Sequence, residues 1–528
     1  MQRRRLSDRA FALIVVGGFA AAVAFGLWRH EPWRDELQAW MIVRASRTPL
    51  QLLDNLRHEG HPPLWYLVLW PWRAVSRSIV VLQCVAFVVA VATVAVVAFR
   101  SPFGRFTTAC FAFGYFTLFE YGVLARSYGL GLLLTVAALS AARPRAPRRP
   151  HSSVATLLLA LLPLTSAFGA IVAVTLALAL LADQVLVTRR PSDAAGPNAD
   201  PAEASVRAAA LRRVVLQTAL VFGAAVLAYS QAAPADDAGA FSGWHTRLDA
   251  HLASTTIAAV FRALAPIPKF QASWWNTSVL DGHTGLAAVL AIVAAVWIAW
   301  IVRRSTAAVV TWCLGTAAIV VFLYLKIGQA DAARYYGNIL VLFVAAVWFD
   351  STRPTDSHLR VVDEEPTPWW ASARSLLACV LALQVVVAIG AVVSDARRPF
   401  TDAPAVAEWL QRHGGARAPL IGCHDFAASS VAADLDRAVQ YQEGNRVGTF
   451  IVWDKRRTRV AASLADATAV AVARRHGTPY YIANVEVPAL ADRLVFHSDR
   501  GIVADEHFWV YDLTEPVPLG QSDPCRKQ

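Results

Sequence analysis

The sequence predicts a mainly α polytopic membrane protein, with about 11 transmembrane helices, interfacial helices in the first outer loop, and a small C-terminal α/β extracytoplasmic domain. Three observations carry that expectation. The 528 residues are 56% hydrophobic and only 16% charged. Apolar runs recur near the ~20 residues that a helix needs to cross a bilayer. From about residue 394 the pattern changes to short strand-like and helical stretches.

The first run, 10–28, follows Arg3, Arg4, Arg5 and Arg9 and lacks a small-residue cleavage site, so it reads as a retained anchor. Further runs fall at 79–99, 106–123, 127–142, 152–168, 169–187, 214–230, 284–302, 307–325, 336–349 and 373–393. Placing the N-terminus in the cytoplasm puts Arg100, Arg105, the RPRAPRR run, Arg189, Arg190, Arg212, Arg213, Arg303 and Arg304 there too, as the positive-inside rule expects. An odd number of spans then sends the C-terminus to the outer side. The segment 62–72 is apolar but too short to cross, and it is expected along the interface. Residues 1–393 form the membrane domain and 394–528 the extracytoplasmic one. The net charge of +11 follows mostly from cytoplasmic arginines, and no nucleic-acid motif accompanies it.

The first outer loop, about 29–78, holds seven arginines against the positive-inside trend, which a site for anionic groups explains. Within it, Trp33, Leu37, Trp40 and Met41 fall at helical spacing and predict an interfacial helix that turns Asp35 toward water or a cavity. Thr48, Pro49 and Gln51 announce a second helix, with Leu50, Leu53 and Leu56 as its buried stripe. Pro62 pushes His61 out of helical geometry while Pro63 starts a new helix, so HPP forms a rigid corner.

The acidic pair Asp35–Glu36, the amphipathic helices and the corner His61-Pro62-Pro63-Leu64 resemble the first outer loop of GT-C glycosyltransferases, notably protein O-mannosyltransferases and lipid A aminoarabinose transferases. LARSYGL at 124–130 resembles a second outer-edge element of bacterial members. The likeness covers roughly the first 180 residues and the general layout. It implies transfer of a sugar from a polyprenyl-phosphate carrier to an acceptor hydroxyl (glycan, lipid or protein) at the outer face of a bacterial inner membrane. A carboxylate removes the acceptor's proton, while arginine or a divalent ion offsets charge on the departing phosphate.

Asp35 is the base candidate, and capping with Gln38 is its plainer role. Glu36 points ~100° away on a helix and is either a second catalytic acid or an ordinary interfacial charge. His61, Arg126, Tyr128, Arg334 and Tyr335 are candidate substrate contacts. The two arginines either grip a lipid phosphate or anchor helices in the headgroups. His58 and Glu59, with His245 as a distant ligand, are the candidates for a divalent metal. The loop 231–283 reads as an interfacial aromatic belt or a substrate-enclosing loop.

In the tail, PLIGC, TFIVW and YYIAN are strand-like, whereas APAVAEWLQRH and ADATAVAVARRH are helical. Cys423 and Cys525 both fall there, where an oxidising compartment permits a disulfide. Segments 191–205 and 351–368 read as linkers. The rival readings are a lipid or sugar transporter, which would place ionisable residues near mid-membrane on broken helices, and a noncatalytic envelope assembly protein.

Overall fold

The computed structural model describes residues 7–142, 152–189, 201–239, 243–328, 332–352, 368–415 and 417–515. The chain is mainly helical. Among the described residues, seven helices are long and apolar enough to cross a membrane.

The first is α1 (Asp8–Arg29), started by the Ser7 hydroxyl accepting from the Ala10 N–H at 3.2 Å. The first loop then folds into three short helices, α2 (Arg34–Ala45), α3 (Pro49–Asn55) and α4 (Leu64–Leu69). The capping signal at α3 holds: Thr48 accepts from the Gln51 N–H at 3.1 Å. Its buried stripe differs from the expected one. Leu52 and Leu56 are buried while Leu50 and Leu53 are exposed, because α3 meets its neighbours along a face one position round from the leucines chosen. The 62–72 segment contains only the six-residue α4 and a 3₁₀ turn, too short to cross.

α5 (Val80–Arg100) is a second long apolar helix. The expected span 106–123 is broken: α6 (Arg105–Phe113) ends at extended Gly114, and Phe116–Val123 forms a π-helical segment. At Gly114 a Cβ would lie 3.0 Å from the Cys110 carbonyl oxygen, a tight approach for any side chain. α7 (Ser127–Ala141) and α8 (Ser153–Leu161) are apolar but short of a bilayer's width. α9 (Ala167–Arg189), α10 (Pro201–Ala232) and α12 (Thr284–Val302) each contain a long apolar stretch. Between the last two, a loop was expected throughout, yet α11 (Ala250–Leu264) packs against α12 and buries Leu252, Ala259 and Ala263. Thr306–Ile327 is one more apolar stretch, with α13 (Thr306–Val309) and α14 (Gly315–Phe322) each continued by a π-helical turn. α15 (Ala333–Thr352) is buried through most of its length, and α16 (Ala373–Arg397) completes the bundle. The expected 11 spans are thus not confirmed; several apolar runs are broken or short helices inside the bundle.

The tail folds on α17 (Ala403–Arg412), α18 (Asp425–Asp434), α19 (Lys455–Arg459) and α20 (Leu464–Arg474) around one six-stranded sheet. Its strands are β1 (Leu420–Gly422), β2 (Val439–Tyr441), β3 (Arg446–Gly448), β4 (Tyr480–Ala483), β5 (Leu494–Ser498) and β6 (Phe508–Asp512), in the order β3-β2-β1-β4-β6-β5. β1 runs parallel to β2 and β4, and the remaining pairs are antiparallel. Alternation along the strands splits the core: Leu420 and Ile482 face α17 and α18, while Ile421 and Tyr481 face α20. TFIVW is not a strand; it leads across to the first loop. Cys423 is buried and disulfide-bonded, and its expected partner Cys525 lies outside the described residues. Most of the two expected linkers, 191–200 and 353–367, also lies outside them.

α2 is not an interfacial helix with one wet face. Every residue from Glu36 to Arg44 is buried, because α2 is sandwiched between the bundle and α18. Leu37 and Met41 pack with Ala433, and Gln38 pairs with Ile451 in both directions, at 2.8 and 2.9 Å.

Candidate active site

Asp35 stands in the first turn of α2 and collects guanidinium groups from distant segments. Arg126 Nη1 lies 2.5 Å and Arg334 Nη2 3.4 Å from its Oδ2, while Arg34 Nε lies 3.9 Å from Oδ1. Burial favours the protonated form, yet the arginines win and hold the carboxyl down at about 2. Trp33, not Asp35, takes the N-cap position of α2, so the plainer capping role does not describe it.

Backbone geometry brings the arginines there. Arg126 is the residue before α7, and Arg334 opens α15. Tyr121 donates its hydroxyl to the Arg334 carbonyl at 3.1 Å, and any Cβ at Gly337 would collide with Tyr121 and Phe116. Glycine there lets α15 close on the π-helical segment.

Glu36 is turned away from this cluster. Fully buried, it accepts from His30 Nε2 at 2.8 Å, the Trp33 N–H at 3.3 Å and the Ala125 N–H at 2.6 Å. His30 also donates from Nδ1 to Asp395 at 3.1 Å. Burial opposes a charge on His30, but Asp395 and Glu36 raise it to about 10, so both ring nitrogens donate. Glu36 therefore anchors α1, α2 and the residue next to Arg126.

His61 donates from Nδ1 to the Glu59 carbonyl at 2.9 Å, leaving a lone pair on Nε2. Burial and nearby Arg126 push its pKa down to about 4, so the ring is neutral at pH 7. Glu59 accepts from Gln38 at 2.8 Å and Tyr66 at 3.3 Å, and burial pushes it up to about 7. His58 meets Asp237 at 2.8 Å, whereas the backbone N–H of His245 donates to Leu325 at 2.7 Å. The metal candidates His58, Glu59 and His245 thus have separate surroundings. Among the described residues, no three His, Cys, Asp or Glu side chains converge as ligands.

Aromatic faces wall the arginines. Arg126 lies 5.7 Å from the Tyr128 ring centre; Arg334 lies 4.8 Å from Tyr335, 5.5 Å from Trp33 and 6.0 Å from Trp275. Trp33 and Trp275 meet edge to face at 4.8 Å. Trp275 and Tyr115 both donate to Glu120, each at 3.1 Å. Trp33, Arg34, Glu120 and Trp275 were missed as site residues. A lone acid inside the apolar run FTLFEYGV was the available signal for Glu120.

Not every polar group is satisfied. Arg334 Nε, Arg34 Nη1 and Glu120 Oε1 are buried without hydrogen-bond partners. Such groups carry an unmet cost that a ligand's oxygens and hydroxyls would relieve. Arg126 and Arg334 within 3.4 Å of Asp35, with Arg34 Nε farther off at 3.9 Å, give this cluster an excess of positive charge.

The chain matches no family model, no curated protein and no solved structure. The geometry alone bears on its chemistry.

Proposed function

We propose that the chain is a GT-C-type membrane glycosyltransferase that transfers a sugar from a polyprenyl-phosphate donor to an acceptor hydroxyl. The observation that carries this reading is the convergence of Arg126 and Arg334 on Asp35, at 2.5 and 3.4 Å, with aromatic walls and unpaired donors around them. In the proposed orientation the N-terminus is cytoplasmic, and the site and C-terminal domain are extracytoplasmic in a bacterial inner membrane. The partners are the lipid-linked donor, a glycan, lipid or protein acceptor, and membrane lipids; nucleic acid is not among them.

The donor phosphate takes the fork-shaped guanidinium groups of Arg126 and Arg334. Their withdrawal from Asp35 raises its affinity for a proton, so donor binding turns a weak base into a competent one. Asp35 then takes the acceptor's hydroxyl proton as the acceptor oxygen bonds the sugar's anomeric carbon. The bond from that carbon to the phosphate oxygen breaks, and polyprenyl phosphate leaves with its electron pair, held by the arginines. Trp33, Trp275 and Tyr335 offer ring faces to the sugar. Among the described residues no three His, Cys, Asp or Glu side chains group as ligands, and each step here is carried by the chain's own side chains.

One observation favours a transporter: Glu120 sits on a π-helical break in an apolar segment. It bonds Trp275, however, and Trp275 lies against Arg334, so Glu120 belongs to the same site.

The test is mass spectrometry of lipids that co-purify with the protein, followed by turnover of the sugar-bearing species. A polyprenyl-phosphate sugar that the protein discharges onto an acceptor supports the reading. Vectorial uptake of that lipid or its sugar by vesicles, with no new glycosidic bond, overturns it.

A further inference from the structure

At the Asp35 cluster the C-terminal domain meets Arg34. Arg34 donates its backbone N–H to Glu506 at 3.0 Å and its Nη2 to Asp505 at 2.6 Å, while its Nε stands 3.9 Å from Asp35. Its guanidinium lies 4.9 Å from the Phe426 ring centre, next to His424, whose Nδ1 donates to Asn484 Oδ1 at 2.8 Å. His424 follows β1 and Asn484 follows β4, two parallel neighbours whose connections leave in opposite directions. In open α/β sheets the crevice beyond the carboxyl ends at such a point receives the ligand. Here it receives Arg34 of the membrane domain.

Glu506 is itself fixed: it is fully buried and accepts from Thr401 at 2.5 Å. The pull on Arg34 is therefore rigid on the domain side. Arg34 Nη1 remains unpaired, so the side chain has a donor to spare if released. Freed from Asp505, it would swing onto Asp35 and keep that carboxylate neutralised even after the donor had drawn Arg126 and Arg334 away.

We propose that Arg34 is a positioning residue by which the C-terminal domain, through Asp505 and Glu506, holds one guanidinium back from Asp35. Its catalytic consequence rests on the glycosyltransferase reading; the restraint itself does not. The domain thereby sets the basicity of the site without touching the substrate.

The test uses full-length protein in lipid nanodiscs carrying Asp35→Cys, with the pH dependence of iodoacetamide alkylation followed by mass spectrometry of the peptide containing position 35. Asp505→Asn should increase the thiolate fraction at a given pH below the midpoint by roughly 3-fold, a shift of about half a pH unit. In an Arg34→Gln background the same change should have little effect. Asp505 is half-exposed, so its neutralisation spares the core. An equal shift in both backgrounds would mean a direct charge effect, and no shift in either would mean no restraint; both overturn the proposal. With Asp35 intact, Asp505→Asn should lower kcat several-fold and leave KM for the lipid-linked sugar unchanged. If the wild type transfers no sugar, the function reading fails while the thiol titration still decides the role of Arg34.

Discussion

Arg126 and Asp35 meet at 2.5 Å across 91 residues of chain, and Arg334 joins them from 208 residues beyond Arg126. Two guanidinium groups on one carboxylate leave a positive charge over, which the proposed reading assigns to the donor phosphate.

Arg126→Lys and Arg334→Lys keep the charge but lose the two-pronged donor. Each should weaken binding of a polyprenyl phosphate to the purified protein by about 10-fold. Isothermal titration with that lipid measures it. Unchanged affinity in both variants would make the arginines helix anchors instead.

Glu36→Gln should destabilise more than it disturbs chemistry. Gln replaces one acceptor oxygen by a donor facing either the His30 imidazolium and the Trp33 N–H or the Ala125 N–H, so the midpoint of thermal unfolding should fall, with a cost of about 1–3 kcal/mol. Differential scanning fluorimetry reads the change. A variant as stable as wild type but inactive would restore Glu36 as a catalytic acid.

Glu59 gives a pH signature. Its folded pKa is raised from the usual carboxylate value to about 7, chiefly by burial, so the folded state keeps a proton that the unfolded state releases. The stability this contributes is full below about pH 4.5 and is lost as pH rises toward 7. Glu59→Gln does not titrate, so it should gain on wild type across that interval, by at most roughly 3 kcal/mol, and hold the gain above it. Parallel unfolding curves from pH 5 to 8 would contradict the assignment.

Orientation has its own test. Cysteines introduced near Asp35 and in the C-terminal domain should react with a membrane-impermeant reagent added outside cells, and one near Arg145 should not. Labelling at Arg145 alone would invert the topology.

Local signals in the sequence carried the parts of this fold that are local. The spacing of Trp33, Leu37, Trp40 and Met41 and the cap at Thr48 located α2 and α3. The run from Leu420 to Gly422 and that from Tyr480 to Ala483 were read as strands, as found. Long-range packing was not legible. The C-terminal domain covers α2 from about 400 residues away, so a helix read as half-wet is buried all round. Apolar runs suggested about 11 spans where seven helices among the described residues are long and apolar enough to cross, because hydropathy registers composition and not the break at Gly114. Asp35, Arg126 and Arg334 were singled out separately, and their meeting is a property of the bundle. The contacts of Glu36 were not legible either, because one of the N–H groups it holds comes from Ala125, 89 residues on.

The most direct test of the account is single-turnover transfer by purified, folded Asp35→Asn and wild-type protein on the same lipid-linked sugar. Asparagine keeps the size and much of the hydrogen bonding but removes the base, so turnover should fall by roughly 10²- to 10⁴-fold, with donor binding changed far less. Comparable turnover by the two proteins would contradict the assignment of Asp35 as the base.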